Sequence, residues 1–420
     1  MRNKEKTITI AMVSDKNYIL PSKITLWSAL SASDRGCYYM VHVLCSPQLA
    51  HDDRMKLKEI ENHFDNIEIV FTEIDDKLFE DALVLKNIPV ASYYRLMIPE
   101  LIKADKCLFL DGDLIVNTDV SVLFNINMGD KLLAGVSDGG LTGGEKDEIR
   151  RRILDIPSMD SYINAGVLLW NLKEICKLDL SKMFIQCIGN RYPLMDNDIL
   201  NKCCYGEILL LSAKYNLFSA FYNKKIKHNI YKEECLEVKD DDMILHYAYW
   251  TKPWKILRTN GADLWWDIAK KALEPCEYTK IRSEAEAYIK MMDLSYILET
   301  ALEAKDIIIF GYTDIGKAIC DSLLKNGLQT VRAFSDNAKD KHLQTYKAYN
   351  VYFPQEIIAK YPEAVWIVTS QNYYEEITMQ LVKSGVETDK IVRYIKKDNI
   401  YFETLDDKYL EYEKREQELL

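Results

Sequence analysis

Two aspartates that flank one glycine, Asp111-Gly112-Asp113, follow directly after the apolar segment Lys106 to Leu110. Alternate residues of an extended chain point the same way, so both carboxylates can face one ion. Carboxylates are hard oxygen ligands for Mg²⁺ or Mn²⁺, and bound phosphates often complete the coordination of such ions. Asp-Gly is also a common turn dipeptide, so the motif alone leaves both interpretations open.

A histidine and a lysine further along the chain could complete such a site. His246 lies within the apolar segment MILHYAYW, and Lys252 follows it at the start of Lys-Pro-Trp. A histidine in an apolar strand is often a hydrogen-bonded core residue, which is the alternative interpretation. The lysine would supply a mobile positive charge for a diphosphate, and an imidazole ligand favours Mn²⁺ over Mg²⁺.

The elements that must position these residues alternate between strand-like and helix-like segments. This alternation predicts an α/β fold with a parallel sheet, and ligands of such sheets bind at the carboxyl edge, where the Asp-Gly-Asp motif stands. The pattern restarts after residue 303 and predicts a second, smaller α/β domain. The predicted divisions are an N-terminal domain at 1–280, a helical connector at 281–303, a second domain at 304–400 and a charged helical tail at 401–420.

Composition limits the class of protein. The 420 residues carry a formal net charge of -11, which argues against general nucleic-acid binding because phosphate contacts need a basic face. No stretch approaches the roughly 18 apolar residues of a membrane span. The ten cysteines lack a Cys-x-x-Cys pair, so we expect reduced thiols and a cytoplasmic protein, with attachment to the inner face of the membrane as the alternative.

Several ordered blocks extend the Asp-Gly-Asp motif over residues 7–260, and their order and spacing are more specific than any block alone. The blocks read AMVSDKNY, ASYYRLMIPEL, CLFLDGD, YINAGVLLWNL, DNDILN and LHYAYWTKPW. In these blocks the chain resembles glycosyltransferase family 8, the retaining enzymes that include bacterial lipopolysaccharide galactosyl- and glucosyltransferases and glycogenin. The resemblance implies a GT-A fold, a Rossmann-like domain that binds a nucleotide-sugar.

The same resemblance implies a role for individual residues of this chain. Asp111, Asp113 and His246 would bind Mn²⁺, with Mg²⁺ as the alternative ion, and Lys252 would hold the donor diphosphate. Asp111 would also belong to the donor site. The remaining implied residues all contact the donor: Asp15 and Asn17 at the uridine and ribose, Arg95 at a phosphate or the sugar, Asn164 and Ala165 at the sugar, and Asp196 and Asn197 near the anomeric carbon.

Two positions depart from the family pattern. Asn197 stands where the family commonly has Gln, close to the reacting carbon. Tyr249 stands where a Gly usually precedes the Lys-Pro-Trp by two residues. The predicted activity is transfer of a hexose, glucose or galactose, from a UDP-sugar to a glycan, lipid-linked or protein-bound acceptor. A catalytically weakened relative that binds a nucleotide-sugar or a partner is the alternative.

The second domain contains a glycine turn that follows a predicted strand and opens a helix, from Gly311 to Gly316. This is the placement of a dinucleotide-binding turn, but Thr313 replaces its middle glycine. Asp336 lies where an acid that binds ribose would stand. We interpret this domain as a Rossmann-like accessory module, with an NAD-dependent oxidoreductase as the less favoured alternative.

Peripheral membrane contact has one candidate in the sequence. Trp265 and Trp266 precede Lys270 and Lys271 by a few residues, which would suit a helix lying on a membrane surface. Packing of the two tryptophans inside the domain is the alternative. The sequence indicates nothing about oligomeric state.

Overall fold

The computed structural model describes residues 6–84, 89–138, 147–222, 237–248, 252–257, 259–292, 304–325, 327–370 and 373–393. The predicted tail at 401–420, Tyr249 and residues 293–303 of the predicted connector lie outside these ranges. The described residues form two compact units that divide between Ile281 and Arg282. Each unit is an α/β structure, which confirms the predicted fold class.

The first unit is built around a seven-stranded sheet of order β3-β2-β1-β4-β7-β6-β8. Its strands are β1 Thr7–Val13, β2 Tyr38–Cys45, β3 Ile67–Glu73, β4 Cys107–Leu110, β6 Leu133–Ser137, β7 Ile163–Trp170 and β8 Ile208–Leu210. A smaller sheet holds β5 Leu114–Val116, β10 Ile244–His246 and β9 Leu217–Phe218. Buried apolar side chains fill β1, β2 and β4, as their β-branched and aromatic sequences require.

The main sheet is mixed, so the prediction of a parallel sheet was wrong for one strand. β1, β2, β3 and β4 run parallel, but β7 lies antiparallel between β4 and β6. A strand that runs antiparallel to its neighbour begins at the edge of the sheet where that neighbour ends. Val167 therefore pairs with Leu110, and the start of β7 meets the Asp-Gly-Asp segment.

The helices of the first unit are α1 Ile19–Ala32, α2 His51–Lys58, α3 Ile98–Leu101, α4 Val120–Phe124, α5 Asp147–Leu154, α6 Leu172–Lys177, α7 Leu180–Cys187, α8 Met195–Cys203 and α9 Ala262–Ala272. The boundary between the two units falls within a further helix, α10 Pro275–Met292. The block ASYYRLM forms a 3₁₀ helix over Val90–Met97. Among the described residues, no helix is both long enough and apolar enough to cross a bilayer.

α1 supports the edge strand of the smaller sheet with side-chain hydroxyls. The Thr25 hydroxyl donates to the Leu114 carbonyl at 2.9 Å and accepts the Leu114 N–H at 3.0 Å, while Ser28 accepts the Val116 N–H at 3.0 Å. β10 pairs with the other edge of β5, with His246 opposite Leu114. Both edges of β5 are therefore satisfied, which holds the residue before it, Asp113, in place.

The second unit contains a six-stranded sheet of order β13-β14-β12-β11-β15-β16. Its elements are β11 Ile307–Phe310, α11 Asp314–Lys325, β12 Val331–Ser335, β13 Thr345–Tyr346, β14 Tyr349–Tyr352, α12 Pro354–Lys360, β15 Val365–Val368, α13 Tyr374–Lys383 and β16 Ile391–Arg393. Alternate residues of β11 pack on opposite faces, Ile309 with Leu323 of α11 and Ile308 with Leu381 of α13. The unit is a Rossmann-like doubly wound layer structure with its own core.

The two tryptophans considered for membrane contact are buried in α9. Trp265 is 0% and Trp266 is 6% exposed. Their rings lie 4.9 Å apart at 82°, and Trp254 packs on Trp265 at 5.4 Å. The packing alternative is the one that the structure supports.

Candidate active site

The side chains of Asp111, Asp113 and His246 converge at the carboxyl edge of β4. One potential ligand atom from each lies within 4.8 Å of the other two. His246 Nε2 is 3.4 Å from Asp113 Oδ1 and 3.9 Å from Asp111 Oδ2. The pairing of β10 with β5 continues into a hydrogen bond from the Tyr247 N–H to the Asp113 carbonyl at 3.0 Å, which sets the histidine beside the motif.

The geometry of the motif differs from the extended chain that the sequence suggested. Gly112 and Asp113 form a bend after β4, so the carboxylates converge through a turn. A Cβ at position 112 would lie 2.6 Å from Ser22 Oγ and 3.1 Å from Tyr18 Cδ1. The glycine is therefore required by close packing against Ser22 of α1 and against Tyr18, which precedes that helix.

Gly166, the fourth residue of β7, contacts two of the three residues. Its carbonyl accepts the Asp111 N–H at 2.8 Å. A Cβ at position 166 would lie 2.2 Å from His246 Cε1, so the imidazole packs directly on the glycine backbone. Phe218 meets the same ring edge-on at 5.7 Å, and Asn216 hydrogen-bonds its Nδ1 at 2.8 Å.

Two cationic side chains flank the cluster. Lys252 Nζ contacts Asp113 Oδ2 and the Tyr247 carbonyl. Arg95 Nη2 donates to Asp111 Oδ1 at 2.9 Å, and its Nε lies 3.0 Å from Asp196 Oδ2. Its Nη1 donates to the Ala165 carbonyl at 2.6 Å, and the guanidinium lies 4.5 Å from the Phe109 ring centroid.

These neighbours set the protonation of the carboxylates. Burial raises the pKa of Asp111 to about 6, opposed by Arg95 and reinforced by Asp113. Burial also opposes ionisation of Asp113, but the ammonium of Lys252 holds its pKa below the usual range. The pKa of Asp196 is raised by burial, with Arg95 acting in the opposite direction.

The residues present fit a divalent cation. Ligands about 2.1 Å from an octahedral ion are about 3 Å apart when adjacent, and the separations of 3.4 and 3.9 Å around His246 Nε2 need little adjustment. Three carboxylates, Asp111, Asp113 and Asp196, face two cations, Arg95 and Lys252, which leaves one uncompensated negative charge. A bound divalent ion would make the net charge of these groups positive, which favours binding of a diphosphate.

Asn197, Asn164 and Ala165 lie together where α8 meets β7. Asn197 Oδ1 accepts the Ala165 N–H at 2.7 Å, and its Nδ2 donates to the Tyr162 hydroxyl at 2.7 Å. Asn164 Oδ1 accepts the Gly166 N–H at 2.9 Å. The amide of Asn197 is thus used to join α8 to β7.

Asp15 and Asn17 lie just beyond β1, the strand that pairs with β4. Asp15 Oδ1 accepts the N–H groups of Asn17 at 2.7 Å and Tyr18 at 3.1 Å, so its carboxylate supports the turn that leads into α1. Asn17 is exposed. Their contact with a nucleoside stays a prediction.

Sequence reasoning missed several residues that shape the site. Asn216 and Tyr162 carried no motif of their own, although Tyr162 begins the block YINAGV. Tyr18 packs against Trp254 with ring centroids 5.7 Å apart, and burial raises its pKa to about 12. The role of Gly166 could not be predicted from its own position, because the residue that packs on it, His246, is distant in the sequence.

The first unit has a GT-A fold, and the family model that matches it makes the protein a glycosyltransferase. The chain belongs to glycosyl transferase family 8, whose sequence model matches residues 9–257. A second family model, described as C2185-like, N-terminal, matches residues 303–392.

Named relatives are about a quarter identical to the chain over the residues that align. General stress protein A of Bacillus subtilis (strain 168) is 24% identical, over 60% of this chain and 88% of its own length. The glycosyltransferase GlyD of Streptococcus pneumoniae serotype 4 is 27% identical, over 62% of this chain but only 30% of its own length. A lipopolysaccharide 1,2-glucosyltransferase of Escherichia coli is 26% identical, over 60% of this chain and 74% of its own length.

Solved structures share the fold of the first unit. The bifunctional glycosyltransferase WbbM superposes with a TM-score of 0.58 at 20% identity, over 66% of this chain and 52% of that one. The galactosyltransferase LgtC, solved with donor and acceptor sugar analogues, gives a TM-score of 0.54 at 22% identity, over 65% of this chain and 100% of that one. Both carry the GT-A fold that the sequence blocks implied.

Proposed function

We propose that this glycosyltransferase is metal-dependent and retaining, and that it moves a hexose from a UDP-sugar to a glycan, lipid-linked or protein-bound acceptor. The observation that carries the proposal is the convergence of Asp111, Asp113 and His246 within 4.8 Å, beside Lys252. Oxygen and imidazole ligands of this kind suit Mn²⁺, with Mg²⁺ as the alternative.

Cleavage of a sugar–diphosphate bond leaves negative charge on the departing oxygens. The bound cation would act as a Lewis acid toward that charge. Lys252 offers its ammonium from a position already beside Asp113, and it can turn toward a phosphate when the carboxylate binds the ion. Arg95 keeps Asp111 and Asp196 oriented, and its own nitrogens are occupied by protein oxygens, so its proposed contact with the donor would need one of those bonds to open.

The sugar end of the donor is proposed to lie against the start of β7 and the first turn of α8. Asp196, Asn197, Asn164 and Ala165 meet there. An oxocarbenium-like transition state would be stabilised by the nearby carboxylate of Asp196. Attack from the same face as the departing UDP is the route we propose for retention.

Glucose and galactose are the sugars proposed for the donor. The relatives named as lipopolysaccharide 1,2-glucosyltransferases support glucose, and the galactosyltransferase LgtC shows that galactose is handled on the same fold. The acceptor proposed is a glycan, a lipid-linked or a protein-bound acceptor, and the names of the lipopolysaccharide glucosyltransferases support the lipid-linked form.

The test is UDP release from a panel of UDP-sugars, with Mn²⁺, Mg²⁺ or EDTA. We expect turnover of UDP-glucose or UDP-galactose with Mn²⁺ and its loss in EDTA. Asp113→Asn should abolish that turnover, and the matched control Asp81→Asn, at an exposed position, should not change it. Turnover that survives both EDTA and Asp113→Asn would remove the proposed metal dependence.

One observation keeps a second candidate, a family member that binds a donor without turning it over. The amide of Asn197 already hydrogen-bonds Ala165 and Tyr162, so a sugar would have to share it with these two partners. Tight binding of a UDP-sugar with no UDP release under any metal would favour this candidate.

The second unit is proposed as an accessory module. Asp336, the expected ribose-binding acid, already accepts the N–H groups of Tyr312 at 2.9 Å and Ala338 at 3.0 Å, and pairs with Lys341 at 3.0 Å. A Cβ on Gly316 would lie 2.1 Å from the Gly311 carbonyl, so these glycines serve the packing of the turn itself. Stoichiometric NAD binding by the full chain would overturn the accessory role.

A further inference from the structure

Asn216 is a fully buried asparagine next to the histidine of the proposed metal site. It follows a 3₁₀ turn at Ala213–Tyr215 and is 0% exposed. Its Oδ1 lies 2.8 Å from His246 Nδ1, and its Nδ2 donates to Asn164 Oδ1 at 3.0 Å. Neither the family blocks nor the metal geometry assigns this residue a role.

The orientations of the Asn164 and Asn216 side-chain amides are set by neighbouring groups that can only donate or only accept a hydrogen bond. The backbone N–H of Gly166 can only donate, and it lies 2.9 Å from Asn164 Oδ1. The carboxylate of Asp138 accepts from Asn164 Nδ2 at 3.2 Å. If the oxygen and nitrogen of the Asn164 amide were exchanged, its NH₂ group would face the Gly166 N–H and its oxygen would face the Asp138 carboxylate. Neither hydrogen bond could then form.

The Asn164 oxygen then determines the orientation of Asn216. Only the amide nitrogen of Asn216 can face that oxygen favourably, so its own oxygen must face His246 Nδ1. A carbonyl oxygen accepts, and His246 Nδ1 must therefore carry the proton. In the neutral imidazole the lone pair is then on Nε2, the atom that faces Asp113 and Asp111.

We propose that Asn216 is a positioning residue that selects the Nδ1–H tautomer of His246 and so presents the Nε2 lone pair to the metal. That Nε2 is a metal ligand rests on the proposed function. The tautomer does not, because it is inferred from the hydrogen bonds alone. The imidazole also packs against Gly166 and meets Phe218 edge-on, and these contacts support the orientation that places Nε2 beside the carboxylates.

Without Asn216 the alternative tautomer gains an advantage. Nε2–H would donate to Asp113 Oδ1, now 3.4 Å away, and would occupy both the nitrogen and the carboxylate that the cation needs. Loss of such a partner commonly costs 10- to 100-fold in metal affinity.

The first measurement is the tautomer of His246 in metal-free protein, read from long-range ¹⁵N–¹H couplings in histidine-labelled full-length chain. The chain has six histidines, and His246→Gln assigns the signal. We expect Nδ1–H in the wild type. Asn216→Leu, which keeps the shape and removes the hydrogen bonds, should shift the population toward Nε2–H.

The second measurement is Mn²⁺ affinity, from the paramagnetic resonance signal of free Mn²⁺. Asn216→Leu should weaken binding about 10- to 100-fold. Asn216→Asp loses the donor to Asn164 Oδ1 but keeps an acceptor for His246 Nδ1, so the proton should stay on Nδ1. Asn350→Leu, at an exposed position of the second unit, is the control and should change neither quantity.

A wild-type Nε2–H tautomer would overturn the inference, and this result needs no variant to fold. Unchanged tautomer and unchanged Mn²⁺ affinity in Asn216→Leu would also overturn it. If the wild type shows Nδ1–H but binds no Mn²⁺, the tautomer selection by Asn216 is supported and the proposed metal dependence fails.

Discussion

Arg95 Nη2 donates to Asp111 Oδ1 at 2.9 Å, and the arginine is only 7% exposed. The same guanidinium reaches Asp196 on α8 through Nε at 3.0 Å. One buried cation therefore holds two carboxylates that come from different elements and would repel each other without it.

Arg95→Ala should lower the free energy of unfolding by about 3–5 kcal/mol, because it leaves buried carboxylates uncompensated. Arg95→Lys should lower the free energy of unfolding by less, because lysine keeps the positive charge. It still weakens the site, since it lacks the planar guanidinium that reaches both carboxylates. Urea unfolding followed by circular dichroism measures both.

Lys182→Ala is the matched control for the arginine. It removes an ion pair with Asp179 whose side chains are 71% and 62% exposed, and no measurable change is expected. A loss below about 1 kcal/mol in Arg95→Ala would contradict the role given to Arg95.

Gly166→Ala should damage the proposed metal site more than the fold. The added Cβ would lie 2.2 Å from His246 Cε1, so the imidazole must move away from the aspartates. We expect at least a tenfold loss of Mn²⁺ affinity and a cost in stability of about 1–3 kcal/mol. Isothermal titration and urea unfolding separate the two effects.

Gly189→Ala is the control for this glycine, because nothing lies within 4 Å of a Cβ at position 189. It should leave Mn²⁺ affinity unchanged. Equal affinities in Gly166→Ala and Gly189→Ala would show that the close approach to His246 does not matter.

Tyr162→Phe should destabilise the junction of β7 with α8. The Tyr162 hydroxyl donates to Asp198 Oδ1 at 2.6 Å, and Asp198 is 0% exposed. Hydrogen bonds to buried charged groups contribute about 1.5–3 kcal/mol, and that is the expected loss on denaturant unfolding. Tyr38→Phe, which loses an exposed bond to Glu68, should stay within about 0.5 kcal/mol of the wild type.

Cys187 should react with iodoacetamide at unusually low pH. Its Sγ lies 3.5 Å from Cys203 Sγ, and a hydrogen bond from Cys203 lowers the pKa of Cys187 to about 7, with burial opposing and Lys202 assisting. The thiolate is the reactive form, so the alkylation rate should rise with pH and reach half its plateau near pH 7.

Cys203→Ala removes the hydrogen-bond donor and should move that midpoint upward, toward the ordinary thiol value of about 8.5. Mass spectrometry locates the modified residue, and the exposed Cys176 provides an internal comparison. A midpoint that does not move in Cys203→Ala would rule out the pairing as its cause.

The sequence was informative where a segment carries its own signal. β2, Tyr38–Cys45, is recognisable in the sequence because seven apolar residues and one histidine lie between turn residues. Strands of two or three residues, such as β5 and β9, are too short to show any periodicity and were not predicted. The direction of β7 was also not predictable, since hydrophobicity does not encode strand direction.

The candidate site was predictable only through the family blocks. Asp111 and His246 are distant in the chain, and nothing local to either indicates the other. Asn216 gave no signal at all, because an asparagine between Tyr215 and Leu217 is typical of an ordinary turn. Its position depends on a hydrogen-bond chain that exists only after β7, β9 and β10 have assembled.

The antiparallel pairing of β7 with β4 determines where insertions and deletions can be accepted. Gly166 meets Asp111 only through strand pairing, so residues between β4 and β7 can be gained or lost in loops without moving either one. A single residue inserted inside β7 would instead reverse every side chain beyond it between the two faces of the sheet. Length variation among homologues should therefore fall outside Ile163–Trp170.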